Sequence, residues 1–275
     1  MAAVAPEHAI GVFDSGVGGL TVLKALLREL PGENFIYLGD TARLPYGTKS
    51  PTTVVRYALA AAEALMALRL KCLVIACNTA SAVALAQVRA RVVSVPVIGV
   101  IEPGAEAACA SSSSGHIAVI GTEGTIRGGA YQEAIRRRRP QAQVAAAAAP
   151  LFVALAEEDL CEGPIAAAVA HHYLDPLLAG APRTDTLVLG CTHFPMLRRA
   201  IEQAVGPGLA IVDSAQTTAG AVRCTLAQAG ILAPAGMPHG RLRLLATDAP
   251  QRFAQIGARF LERRIAAEDV EAIDL

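Results

Sequence analysis

Two cysteines draw attention by what surrounds them. Cys77 lies in Leu73-Val74-Ile75-Ala76-Cys77-Asn78-Thr79, and Cys191 lies in the similar run Leu187-Val188-Leu189-Gly190-Cys191-Thr192-His193. In each, a short apolar stretch of strand character ends at a thiol and passes into polar residues where a helical stretch begins. A thiol there meets unpaired backbone N–H groups and the positive end of a helix dipole, both of which favour the thiolate. Asn78, Thr79 and Ser81, or Thr192 and His193, add further donors. The arrangement suits an anion such as a carboxylate held beside an activated thiol. One cysteine after a buried strand is usually an inert small hydrophobe; two in matching contexts point to chemistry. Cys72, Cys109, Cys161 and Cys224 have no such neighbours and read as structural.

The acidic and imidazole side chains narrow the options. Asp14, Asp40 and Glu157 are candidate site residues, although acids at strand ends are commonly helix caps. Asp40 stands where a dinucleotide-binding unit carries its ribose acid, but Thr21 occupies the place of the last glycine in the fingerprint, so that reading fails. A metal site on Cys191 and His193 would need further ligands. His171-His172 reads as a solvated helix face instead, so no metal is expected. A Cys–His hydrolase is more credible, but two equivalent thiols exceed what a simple nucleophile needs. Arg136–Arg139 reads as a solvated charge run.

The elements that must position these residues follow from the alternation of short apolar runs with longer Ala/Leu-rich stretches. Strands are expected at Ala9–Phe13, Asn34–Leu38, Cys72–Ala76, Val95–Val100, His116–Ile120, Thr186–Leu189 and Ala210–Val212. Helices are expected at Thr52–Leu70, Ile165–Leu178 and Gln251–Arg264. Such alternation gives parallel sheets covered by helices, with ligands gathering at the carboxyl ends of the strands. The residues at those ends are Asp14-Ser15-Gly16-Val17-Gly18-Gly19, Gly39-Asp40-Thr41 with Pro45-Tyr46-Gly47, Cys77-Asn78-Thr79, Gly121-Thr122-Glu123-Gly124-Thr125 and Gly190-Cys191-Thr192-His193. Ile10–Gly16 resembles Ile117–Gly124 as the two Cys runs resemble each other, which implies two similar α/β halves, each supplying one thiol. The segment Cys109–Gly115 is the expected connection between them.

Composition sets the frame. The chain has 275 residues, 53% hydrophobic and 17% charged, enough for a sizeable core. Twenty-four Lys+Arg balance 24 Asp+Glu, and aromatics are 4% with no Trp, which argues against a nucleic-acid or membrane-surface binder. Met1–Ile10 lacks the basic-then-apolar order of a secretory leader. The apolar run Val144–Ala156 is interrupted by Pro150 and is shorter than the ~18 residues of a membrane span. A cytoplasmic protein with free thiols is expected.

Taken together, Phe13–Thr21, Tyr37–Arg43 with Pro45-Tyr46-Gly47, Ala76–Ser81 and Gly190–Pro195 resemble the glutamate racemase family. Pro96–Ile101, Pro150–Val153 with Glu157-Glu158, and Val212-Asp213-Ser214 support the likeness, which extends from Ile10 to about Phe260. The resemblance implies cofactor-independent interconversion of L- and D-glutamate, supplying D-glutamate for peptidoglycan. It implies two pseudo-symmetric flavodoxin-like domains, residues 1–99 plus 211–275 and residues 100–210, in a homodimer. It also implies that Cys77 takes the α-proton from D-glutamate and Cys191 from L-glutamate, with Asp14 assisting the first thiol and His193 the second. Asp40 and Glu157 are implied as further acidic site residues, and Asp14, Ser15, Tyr46, Gly47, Asn78, Thr79, Thr192 and His193 as substrate-binding positions. Some glutamate racemases bind and inhibit DNA gyrase, so gyrase is an implied second partner. Ala149, Ala154 and Gly128 stand where the family commonly has Cys, Pro and Ser, none of them catalytic positions.

Two bases are what such a reaction needs. Racemisation removes a proton from one face of Cα and returns one to the other, so bases on opposite faces avoid moving a single base around the intermediate. Tyr46-Gly47 is expected to help fix the side-chain carboxylate. An aspartate racemase of the same superfamily would share the paired thiols but differ in the first glycine-rich loop.

Overall fold

The structure is a computed structural model describing residues 5–181, 183–234 and 239–275. Of the amino-terminal stretch read for a leader, residues 1–4 lie outside the described residues. The strands are β1 (Ala9–Asp14), β2 (Phe35–Gly39), β3 (Leu70–Ile75), β4 (Val97–Gly99), β5 (His116–Gly121), β6 (Gln143–Ala148), β7 (Thr186–Gly190), β8 (Ala210–Asp213), β9 (Leu242–Ala246) and β10 (Val270–Ala272). The helices are α1 (Leu20–Glu29), α2 (Pro51–Met66), α3 (Asn78–Arg91), α4 (Ile101–Ser111), α5 (Glu123–Arg127), α6 (Ala130–Arg138), α7 (Leu151–Glu157), α8 (Gly163–Ala179), α9 (Arg198–Val205), α10 (Ser214–Gln228) and α11 (Pro250–Leu261). Among the described residues no helix is long and apolar enough to cross a membrane.

The strands form two parallel sheets, ordered β10-β9-β2-β1-β3-β4 and β6-β5-β7-β8. Strands β2-β1-β3-β4 of the first sheet repeat the order of the second: the chain starts in the middle, steps to one side, then crosses to the other. This is the flavodoxin-like order, whose crevice opens at the carboxyl ends of the first and third strands. That crevice lies between β1 and β3 in one sheet and between β5 and β7 in the other. Cys77 follows β3 and Cys191 follows β7, so the internal repeat read from the sequence corresponds to equivalent places in two copies of one topology. The central strands are buried on both faces, as the runs Ile10–Phe13, Leu73–Ile75, Ile117–Ile120 and Leu187–Leu189 require.

The two sheets share one core. A single apolar cluster joins Ile10, Val12 and Val74 of the first sheet to Ala118, Ile120, Leu187 and Leu189 of the second. Helix α10 packs on both α1 and α4 and ties the halves together.

Several expected boundaries move. The helix expected to reach Leu70 stops at Met66, because Arg69 takes a left-handed turn (φ 57°) and Leu70 starts β3. The run Val144–Ala156 holds most of β6, then Pro150 and the start of α7. Cys109 lies in the last turn of α4, so the connection between the halves is the shorter 112–115. Strand β8 pairs with β7 through Asp213, so the expected division after residue 210 falls inside a strand of the second sheet.

Candidate active site

The glycine-rich loop after β1 is pressed against the Cys191 loop. A Cβ on Gly18 would lie 2.4 Å from both His193 Nδ1 and Thr192 Oγ1, so only glycine allows the two loops to approach this closely. Thr21, at the start of α1, donates from Oγ1 to the Thr192 carbonyl (3.0 Å) and fixes the same approach. On the other side of the crevice Thr79 Oγ1 lies 2.8 Å from Thr122 Oγ1 and 3.3 Å from Thr125 Oγ1, again joining the halves. Gly47 is confined there too, since a Cβ would meet Thr122 at 2.8 Å.

Cys77 is the N-cap of α3, its Sγ accepting from the Ala80 N–H (3.4 Å) and lying 3.7 Å from Ser15 Oγ. Burial, the Asp14 carboxylate and the charge of Cys191 push its thiol up to about 12, against the pull of the Ala80 and Ser15 hydrogen bonds. Asp14 ends β1, fully buried, with Oδ2 accepting from the Gly16 N–H (3.0 Å). Burial raises its pKa, while the neighbouring His193 charge acts the other way. Asp14 thus acts on Cys77 through its field, and Ser15 makes the hydrogen bond.

Cys191 has a different neighbourhood. Its Sγ lies 3.8 Å from His193 Nδ1, and His193 Nε2 lies 3.1 Å from Glu157 Oε1. Burial opposes a charge on the imidazole. The hydrogen bonds to Cys191 and Glu157, with the charges of Cys191 and Asp14, outweigh that and hold His193 up to about 10. The same bond holds the Glu157 carboxyl below its ordinary value. Both thiols are 5% exposed.

Two buried polar atoms in this space have no partner among the described residues: Asp14 Oδ1, an acceptor, and Asn78 Nδ2, a donor. Asn78 is held by its other end, Oδ1 accepting from the Tyr131 hydroxyl at 2.7 Å. Buried polar groups are rarely left unpaired, and this pair complements an ammonium on one side and a carboxylate on the other. Among the described residues no group of three or more His, Cys, Asp or Glu side chains is arranged to hold a metal ion.

Asp14, Ser15, Cys77, Asn78, Thr79, Cys191, Thr192, His193 and Glu157 therefore converge, with Gly47 at the rim. Asp40 does not join the thiols. Its carboxylate is occupied by the Tyr46 hydroxyl (2.5 Å), Thr247 Oγ1 (2.9 Å) and the Arg43 guanidinium (3.3 Å), which makes it the anchor of the Tyr46 loop. Thr122 and Thr125 sit at the site although nothing in their types singled them out. Their only signal was position, at the end of the strand equivalent to β1. The Arg136–Arg139 run is not simply solvated: Arg137 and Arg138 pair with Glu102, and Arg139 binds the Ser112 carbonyl.

The chain is similar to known proteins over nearly its full length. A glutamate racemase of Geobacter metallireducens is 48% identical over 270 residues, covering 98% of each chain. The crystal structure of a glutamate racemase isoform from Bacillus anthracis superposes with a TM-score of 0.92 at 38% identity, covering 98% of each chain. That of Francisella tularensis, in complex with D-glutamate, gives 0.89 at 33% identity, with the same coverage. The model of the Asp/Glu/hydantoin racemase family matches residues 10–222, and the chain belongs to that family.

Proposed function

We propose that the chain interconverts L- and D-glutamate by passing the α-proton between two thiols, with no cofactor. The observation that carries this is the placement of Cys77 and Cys191 at equivalent switch points of two repeated sheets, whose loops are joined through Thr21 with Thr192 and Thr79 with Thr122. Glutamate is favoured as substrate because the similar chains are glutamate racemases and one of them holds D-glutamate.

Cys77 takes the proton from D-glutamate and Cys191 takes it from L-glutamate, each returning one to the opposite face. Ser15 and the Asp14 field serve the first thiol; His193, charged and braced by Glu157, is the proton store of the second. The α-proton is a very weak acid, so the developing enediolate needs donors fixed in advance. The free Asn78 amide, the N–H groups at the start of α3 and the hydroxyls of Thr79 and Thr192 supply them. Asp14 Oδ1 receives the ammonium. Tyr46 and Gly47, with Asp40 behind them, fix the side-chain carboxylate. On this reading the enzyme is a cytoplasmic homodimer supplying D-glutamate for peptidoglycan, and inhibition of gyrase supercoiling tests the second partner.

The experiment is incubation of the pure protein with D-glutamate, and separately D-aspartate, in heavy water. Loss of the circular dichroism signal with deuterium appearing at Cα of glutamate is expected. Unchanged glutamate, faster turnover of aspartate, or a covalent acyl-thiol in the mass spectrum contradicts the reading.

A further inference from the structure

The two arms of the site are not braced alike. The Cys77 arm is held by its own sheet: Ser15 follows β1, and the sulfur caps α3. The Cys191–His193–Glu157 chain belongs to the second sheet, yet it is gripped by α11, which follows β9 of the first. The fully buried Phe260 sets its ring edge-on to His193, with centroids 5.3 Å apart and planes at 79°. Arg259 donates from Nη2 to the Glu157 carbonyl at 2.6 Å, and its Nη1 lies 3.2 Å from Asp159 Oδ2. Two helical turns earlier, Arg252 Nη2 lies 4.0 Å from Glu157 Oε2. Glu157 is the last residue of α7, so Arg259 places a cation on an open carbonyl at a helix C-terminus, where it is favoured.

This bracing is also outside the repeat. The second sheet has four strands matching β2-β1-β3-β4 of the first, and β9, α11 and β10 have no counterpart in it. The non-duplicated segment therefore reaches over to the second half and holds the one proton relay that contains an imidazole. On the reading proposed above, we infer that Arg259 and Phe260, at the end of α11, are positioning residues for the proton transfer at Cys191 and set the rate of that step. Arg259 fixes the end of α7 and with it the Glu157 carboxylate. Phe260 fixes the plane of His193, and hence the approach of Nδ1 to Cys191.

Enantiomers have equal energy, so kcat/KM must fall equally in both directions whichever step is slowed. The isotope effects are not so constrained. When the Cys191 step becomes the slow one, the primary isotope effect on kcat/KM rises for α-deuterated L-glutamate and falls for α-deuterated D-glutamate. A displacement of about 1 Å costs up to ~100-fold. For Arg259→Ala we expect kcat/KM to fall by about tenfold, with the L-to-D ratio of isotope effects above that of the wild type. Asp159→Gly keeps the left-handed backbone there (φ 63°) and removes only the second anchor of Arg259. It folds normally and moves the ratio in the same direction by less, while Arg259→Lys recovers part of the rate. If both variants lower the rate and leave the ratio as in the wild type, or leave the rate untouched, the inference is overturned while the function stands. If the wild type itself does not exchange the α-proton of glutamate, the function has failed first.

Discussion

Gly18→Ala isolates the contact on which the site depends. The backbone at Gly18 is not in the left-handed region, so alanine fits the chain and the cost comes only from what its methyl group meets. That methyl would stand 2.4 Å from His193 Nδ1 and Thr192 Oγ1 and 2.5 Å from His193 Cε1. Ordinary contact begins near 3.4 Å, so the two loops must part by roughly 1 Å. His193 cannot yield alone, because Glu157 holds its Nε2 and Phe260 lies against its ring. The Cys191 loop therefore shifts as a body away from the Asp14 loop. A 1 Å error in the placement of reacting groups costs on the order of 100-fold in rate, while overpacking of this kind costs about 1–3 kcal/mol of stability. The assay is kcat/KM for D-glutamate by circular dichroism beside the thermal midpoint. Gly16→Ala is the control, since its methyl would meet only Leu44 Cδ2 at an ordinary 3.6 Å. Gly18→Ala activity within twofold of Gly16→Ala would refute the reasoning.

Three further outcomes follow. Lys71 and Glu33 form a fully buried pair at 2.5 Å, away from the thiols, so Lys71→Ala leaves a buried carboxylate uncompensated. Urea unfolding should show a loss of about 3–5 kcal/mol, and Lys71→Met with Glu33→Leu together should cost less than either alone; an additive loss contradicts this. His193 binds its proton more tightly folded, at about 10, than unfolded, at about 6.5. Its stabilisation is therefore full below pH ~6.5 and is lost as pH rises through about 10. Urea midpoints across that window should fall more steeply for the wild type than for His193→Gln, and equal slopes refute the assignment. Cys77, buried and with its thiol pushed up to about 12, should alkylate far more slowly with iodoacetamide at neutral pH than the exposed Cys224, as peptide mass spectrometry would report; equal rates would count against it.

The sequence carried the inner strands and the thiols because both are local signals. Runs such as Leu73–Ile75 and Leu187–Leu189 are apolar throughout, as strands buried on both faces must be, and the residues behind them fall at the ligand end by topology alone. Strand β6 was hidden because Ala145–Ala148 has little intrinsic strand preference. It is a strand because Ile117 to Gly121 of β5 offers it a register. Strands β9 and β10 were hidden by the charges of Arg243 and Glu271, which face each other in an ion pair on the exposed side. The resemblance implies Asp40 as a further acidic site residue, but Thr247, more than 200 residues further on, claims its carboxylate. Arg259 and Phe260 gave no signal for the same reason: their meaning lies in contacts with Glu157 and His193, which only the fold creates.

On the proposed function two sulfurs, one on each face of a single carbon, share the work. The most direct measurement is the early time course in heavy water starting from L-glutamate, with Cys77→Ser and Cys191→Ser beside the wild type. The first D-glutamate formed should carry deuterium while the remaining L-glutamate keeps its protium, and neither variant should racemise. Protium carried from substrate into product, or wild-type racemisation by either serine variant, would contradict it.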